Sequence, residues 1–157
     1  IGNGSPGLLI LESINIYGHE TWVSSDGVYL VINNGRIIKT AGLPNNLNEF
    51  FSTIEDFKKM ERDEGKIFIS YLSYRDPELN NLEVRLSHRI RAKEQIELFN
   101  RNIELSLIEE DLVSEVLGWK VTNKFWLDDD YFVWKSIQKI SPLLPEFKIT
   151  VTKKPAE

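Results

Sequence analysis

Glu109, Glu110 and Asp111 stand consecutively in this 157-residue chain, and a pair of carboxylates could serve glycoside hydrolysis as acid and base. Asp128, Asp129 and Asp130 form a second run, of the oxygen-rich kind that calcium or magnesium requires. The two histidines, His19 and His88, lie far apart and show no H-E-x-x-H spacing. The chain has no cysteine, which removes thiolate zinc sites and cysteine nucleophiles. Plainer readings are favoured for both acidic runs. Consecutive side chains in a tight turn diverge, so 128–130 reads as a hairpin turn, and 109–111 reads as a solvated face. Gly2-Asn3-Gly4 with Gly7 precedes a strand and does not open a helix, so its backbone would not converge on a phosphate. The expectation is no catalytic residue, no metal site and no cofactor.

Aromatic rings are the remaining candidates, because they stack on the apolar faces of sugars. Trp22, Trp126, Tyr131 and Trp134 are the residues expected to bind carbohydrate or a partner, with core packing the competing and favoured role for tryptophan. Trp119 and Trp126 are an odd number of residues apart, so a regular strand points them to opposite faces.

These residues need elements to position them, and the pattern is mostly β. Leu8 to Ile14 reads as a buried strand and Tyr17 to Ser24 as a second. Asp26-Gly27 and Asn34-Gly35 then punctuate a meander through Val28 to Ile32 and Arg36 to Thr40, since both residues of an Asn-Gly pair tolerate positive φ. Leu47, Phe50, Phe51, Ile54 and Phe57 recur at helical spacing behind Asn45 and Asn46, which predicts a helix with those asparagines as caps. Lys66 to Tyr74 reads as a strand. Leu82, Val84 and Leu86 alternate with Glu83, Arg85 and Ser87, the period of a half-buried antiparallel strand. Glu94 to Phe99 and Ile103 to Ile108 flank Asn100-Arg101-Asn102 as a possible hairpin, and Ile108 to Leu117 reads as a short helix or turn. Trp119 to Leu127 and Tyr131 to Ile140 make a last long hairpin, and Phe147 to Thr152 a final strand. About nine strands against one or two short helices predict a mainly β fold: a curved antiparallel sheet, sandwich or partial barrel built from hairpins.

Composition narrows function further. A length of 157 residues suits one domain over 1–157, and 41% apolar with 27% charged residues is a globular balance. Net charge of −5 removes the basic field that nucleic acid or an anionic membrane attracts. The apolar run Leu8 to Leu11 is far short of the roughly 20 residues that a spanning helix needs.

Four strings carry a resemblance: "IGNGSPGLLIL" at 1–11, "WVSSDGVYLVINNGRIIKTAGLPNNL" at 22–47, "LGWKVTNKFWLDDDYFVWKSIQKISP" at 117–142 and "FKITVTKKP" at 147–155. Together they resemble the GfcB/YjbF family of bacterial lipoproteins, associated with group 4 capsule and related exopolysaccharide operons. The resemblance implies a mostly antiparallel β fold and a lipoprotein on the periplasmic face of the outer membrane, lipidated at a cysteine upstream of Ile1. It also implies a non-enzymatic part in polysaccharide assembly or secretion, with a polysaccharide or a secretion-machinery protein as partner. Two other functions stay open on the residues alone. One is a lipid- or glycolipid-binding domain with an acyl chain under the Phe50, Phe51, Ile54, Phe57 helix. The other is a glycan hydrolase that uses an acidic pair.

Overall fold

The computed structural model describes residues 6–53 and 56–156, among which fall eleven strands and one short helix. The first four strands, β1 (Leu9–Ile14), β2 (Glu20–Ser24), β3 (Tyr29–Asn33) and β4 (Arg36–Ala41), pair antiparallel in chain order. The remaining seven are β5 (Asn46–Ser52), β6 (Phe68–Arg75), β7 (Leu79–Leu98), β8 (Arg101–Ser114), β9 (Trp119–Leu127), β10 (Val133–Gln138) and β11 (Phe147–Thr150). They form a second antiparallel sheet, ordered β11-β10-β9-β8-β7-β6-β5, which curls into a half-barrel. A short helix, α1 (Phe57–Arg62), links β5 to β6.

The expected mainly β, hairpin-built fold is what the chain adopts. Asn34 and Gly35 sit at φ 49° and 82°, the paired positive values that a type I′ turn demands. Gly35 has a second constraint, because a Cβ there would overlap the Val133 side chain. The turn is therefore seated against β10. Gln138 secures the same strand: its Nε2 donates to the Gly35 carbonyl at 2.8 Å, and its Oε1 accepts from the Ile37 N–H at 3.0 Å. These bonds satisfy backbone groups in the turn and on β4, which lies at the edge of its sheet.

The main core lies between the two sheets. Leu30, Ile32 and Ile37 from the small sheet meet Leu47, Leu72, Val84, Leu86 and Leu112 from the half-barrel. Each such fully buried aliphatic side chain contributes about 1.5–3 kcal/mol relative to exposure. Trp119 belongs to this core, whereas Trp126 joins a smaller cluster with Leu98 and Leu105, so parity separates the two tryptophans as their spacing demands.

Three expectations need correction. Residues 46–52 form a strand instead of the predicted helix, and Asn45 and Asn46 are buried and bond to backbone and side-chain groups instead of capping. The register of β5 shifts between Leu47 and Glu49, which puts Leu47 opposite Tyr74 and Phe50 opposite Leu72, both on the core face. One extra residue thus gives a strand the three-residue spacing of a helix. The helix begins later, capped by Asp56, whose carboxylate accepts from the Lys59 N–H at 2.9 Å; Ile54 lies outside the described residues. Residues 108–114 continue β8, not a short helix, and Ile108, Glu110, Leu112 and Ser114 all face inward. Finally, β1 is an edge strand with an exposed outer side, not a buried one.

The β7–β8 hairpin extends past its neighbours. β9 pairs with β8 only from Ser106 onward, so residues 94–105 form an arm. A register shift between Arg91 and Glu94 turns Glu94, Ile96 and Leu98 to the convex side of the sheet, where the apolar members join Leu105, Trp126, Trp134 and Ile137.

Candidate functional site

Where the Asn33-Asn34 end of the small sheet approaches β5 and α1, a cleft of about 220 Å³ opens. Its walls mix polar and apolar groups: Asn33 from the end of β3, His19 from the β1–β2 connection, Phe50 from β5 and Asp56 at the helix cap. Arg36, the first residue of β4, also lines it and is only 9% exposed.

Arg36 is held from behind. Its Nη1 donates to Oε1 of Glu110 at 2.7 Å and its Nη2 donates to Oε2, a two-pronged ion pair. His88 Nε2 lies 2.7 Å from Oε2 of the same carboxylate. An ionised carboxylate only accepts, so that nitrogen carries the hydrogen, and the buried Nδ1 has no hydrogen-bond partner. The guanidinium carbon sits 4.8 Å from the centre of the Phe50 ring and 5.4 Å from that of Phe125, a cation–π contact with each. Glu110 is completely buried, which by itself would push its pKa up. The Arg36 charge and the hydrogen bonds from Arg36 and His88 outweigh burial and hold it at about 2.

This overturns the reading of 109–111 as a solvated face at Glu110. Glu110 points into the core, while Glu109 and Asp111 point outward to Arg89 and Arg91. The missed signal was parity: Glu110 occupies an inward position in the series Ile108, Glu110, Leu112, and its carboxylate hid that alternation.

For hydrolysis, two carboxylates would have to face each other roughly 5–9.5 Å apart across the cleft. Glu110 lies behind Arg36, which leaves Asp56 as the carboxylate that lines the cleft among the described residues. For acyl-chain binding, an apolar cavity would have to open under the helix. That space is instead filled by Phe57, Met60, Ile108 and Phe125, with the Phe57 and Phe125 rings 4.8 Å apart.

Of the four aromatic residues expected to bind, the structure brings Trp126 and Trp134 together and separates Trp22 and Tyr131 from them. Trp22 packs against the main core and donates to Glu20 at 2.9 Å. Trp126 is 7% exposed, donates to Glu94 at 2.7 Å and carries Lys135 over its ring. Trp134 packs in the same convex cluster and donates to Asp128 at 2.9 Å. Tyr131 lies apart from both, against the Phe57 and Met60 cluster, with φ at 63°; a hydrogen bond with Glu61 and burial push its phenol up. The acidic turn is spoken for as well: Asp128 accepts from the Asp130 and Phe132 N–H groups, and Asp129 pairs with Lys93. No group of three or more potential metal ligands occurs among the described residues.

Residues 1–152 match the family described as group 4 capsule polysaccharide lipoprotein gfcB, YjbF. The chain belongs to that family. Among solved structures, the hypothetical lipoprotein YmcC from Escherichia coli (K12) superposes with a TM-score of 0.81 at 22% identity, over 95% of this chain and 78% of that one. At this identity the likeness establishes the shared fold. None of the curated proteins matches the chain. Membership makes this a protein of the lipoprotein class, and the family's association is with capsule polysaccharide.

Proposed function

We propose that this protein is a non-catalytic lipoprotein at the periplasmic face of the outer membrane. In this reading it aids capsule or exopolysaccharide assembly or secretion by holding a short glycan segment in the Arg36 cleft. The observation that carries the reading is the cleft itself: a site the size of one or two sugar rings, with amide, imidazole and carboxylate groups around an aromatic ring and an immobilised guanidinium. Sugars need this combination, because hydroxyl groups seek fixed hydrogen-bond partners and the C–H faces seek apolar surface. Arg36 has its charge compensated by Glu110, which suits hydrogen bonding to neutral sugars more than capture of a free anion.

The test is titration of the protein with oligosaccharides from the capsule of its own host, followed by backbone amide NMR. Shifts are expected at residues 33–36, 50–52 and 56–60. A His19→Ala, Asn33→Ala double variant should bind about tenfold more weakly, equivalent to about 1.4 kcal/mol. An absence of shifts at millimolar ligand, or binding unaffected by the double substitution, overturns the glycan reading.

A further inference from the structure

Away from the Trp126 cluster, the two outer faces of the molecule carry opposite chemistry. On the outer face of the half-barrel, Arg85 pairs with Glu115, Arg89 with Asp111 and Glu109, and Arg91 with Glu109. Among the described residues, no such ladder runs across the outer face of the small sheet. Its registers align Ile10 with Val23, Val23 with Tyr29 and Tyr29 with Ala41, one apolar row across all four strands. The adjacent row is Ser13, Thr21, Val31 and Lys39, in which Lys39 is the single charge. Trp22, Leu30 and Thr40 occupy the alternate positions and face the core, which fixes the Ile10 row as the outer one. Ile10 is 66% exposed and Leu8, just before β1, is 73% exposed.

We infer that this face rests on the lipid surface to which the protein is anchored, with Leu8, Ile10, Val23 and Tyr29 dipping into the headgroup layer. The inference rests on the anchoring part of the function proposed above. Two observations select lipid as the occupant. The chain belongs to a lipoprotein family, and the family resemblance implies a lipidated cysteine upstream of Ile1. The patch is built around β1, the first strand, so an anchor upstream of β1 enters at the edge of this same face. One carboxylate borders the patch, Glu12, which lines the same depression as Leu8, Ile10 and Val23, so contact with lipid rests on the apolar row and not on charge. A short tether plus a modest apolar contact is a two-part attachment, which fixes orientation where one anchor alone would leave the protein free to swivel.

The absence of cysteine makes the test direct. Single variants Ile10→Cys, Tyr29→Cys and Glu83→Cys, the last on the outer face of the half-barrel, are labelled with an environment-sensitive nitrobenzoxadiazole dye. The chain is tethered by an N-terminal hexahistidine tag to nickel-chelating lipid in vesicles of phosphatidylethanolamine and phosphatidylglycerol. The expected result is a blue shift at 10 and 29, with quenching by spin-labelled lipid at least about threefold greater than at 83. Equal quenching at all three positions, or none at any, overturns the inference. So does a blue shift at 10 and 29 without vesicles together with a doubled sedimenting mass, because a second copy would then be the occupant. These positions are exposed or half-exposed, and circular dichroism of each variant checks folding. Anchoring is read separately, by palmitate incorporation into the full-length protein: failure there sinks the anchoring reading, whereas the vesicle result speaks only to the face.

Discussion

Glu109, Glu110 and Asp111 are consecutive acidic residues on one strand, yet they live in two different solvents. Glu110 is fully buried against Arg36 and His88, while Glu109 and Asp111 stand on the outer face with Arg89 and Arg91. The bonds look alike on paper, but water decides what each contributes. Outside, water competes for every charge, so pairing gains little. Inside, the unpaired alternative is a charge without solvent, so losing one partner is severe even where the intact pair adds little net stability. The inner trio ties the small sheet to the half-barrel at Arg36, the residue that lines the cleft.

Breaking the inner pair should give the largest effect. Glu110→Ala leaves Arg36 buried and uncompensated, and the expected loss is about 3–5 kcal/mol, read from urea unfolding. An Arg36→Met, Glu110→Leu double variant should recover most of that loss; if the double variant is no more stable than the single, burial of the unpaired charge is not the cause.

Acid should separate the two environments next. The folded pKa of Glu110 is lowered from 4.5 to about 2 by its partners, so its contribution is present in full above about pH 5 and is lost as pH falls toward 2. A shift of that size corresponds to about 3 kcal/mol. Asp111 is lowered too, chiefly by its hydrogen bond from Arg89, and Glu109 by that from Arg91, so both add to the same acid loss. Urea midpoints at several pH values should show Glu110→Gln with a visibly flatter acid limb than the parent; identical limbs would remove Glu110 from the account.

The smallest effect belongs outside. Arg89→Ala should cost less than about 1 kcal/mol, and the difference should shrink further in high salt. A loss as large as that of Glu110→Ala would mean that the outer ladder is structural.

The fold was readable in the sequence wherever one rule governed a stretch. Asn34-Gly35 announced its turn through φ, and Leu82, Val84 and Leu86 announced their face through alternation. Reading failed where a bulge broke the count. Leu47 and Phe50 share a face because β5 carries an extra residue, and a bulged strand is indistinguishable from a helix by spacing alone. The cleft was hidden for a different reason. Arg36 and Glu110 are 74 positions apart and meet only because two sheets stack, and a carboxylate at a core position looks like a surface residue until its partner is known. Composition showed which residue types the chain lacks, cysteine above all, but not which polar residues would be gathered around one opening.

The register shift between Arg91 and Glu94 has a consequence for how this chain can drift over generations. Ile96 and Leu98 reach Trp126 because of a tally of residues upstream and not because of what those residues are. Trimming one position there would swap the arm's oily and wet sides wholesale, while trimming two would merely shorten it. Substitution is therefore cheap in that stretch, and a change of length is tolerable only by twos.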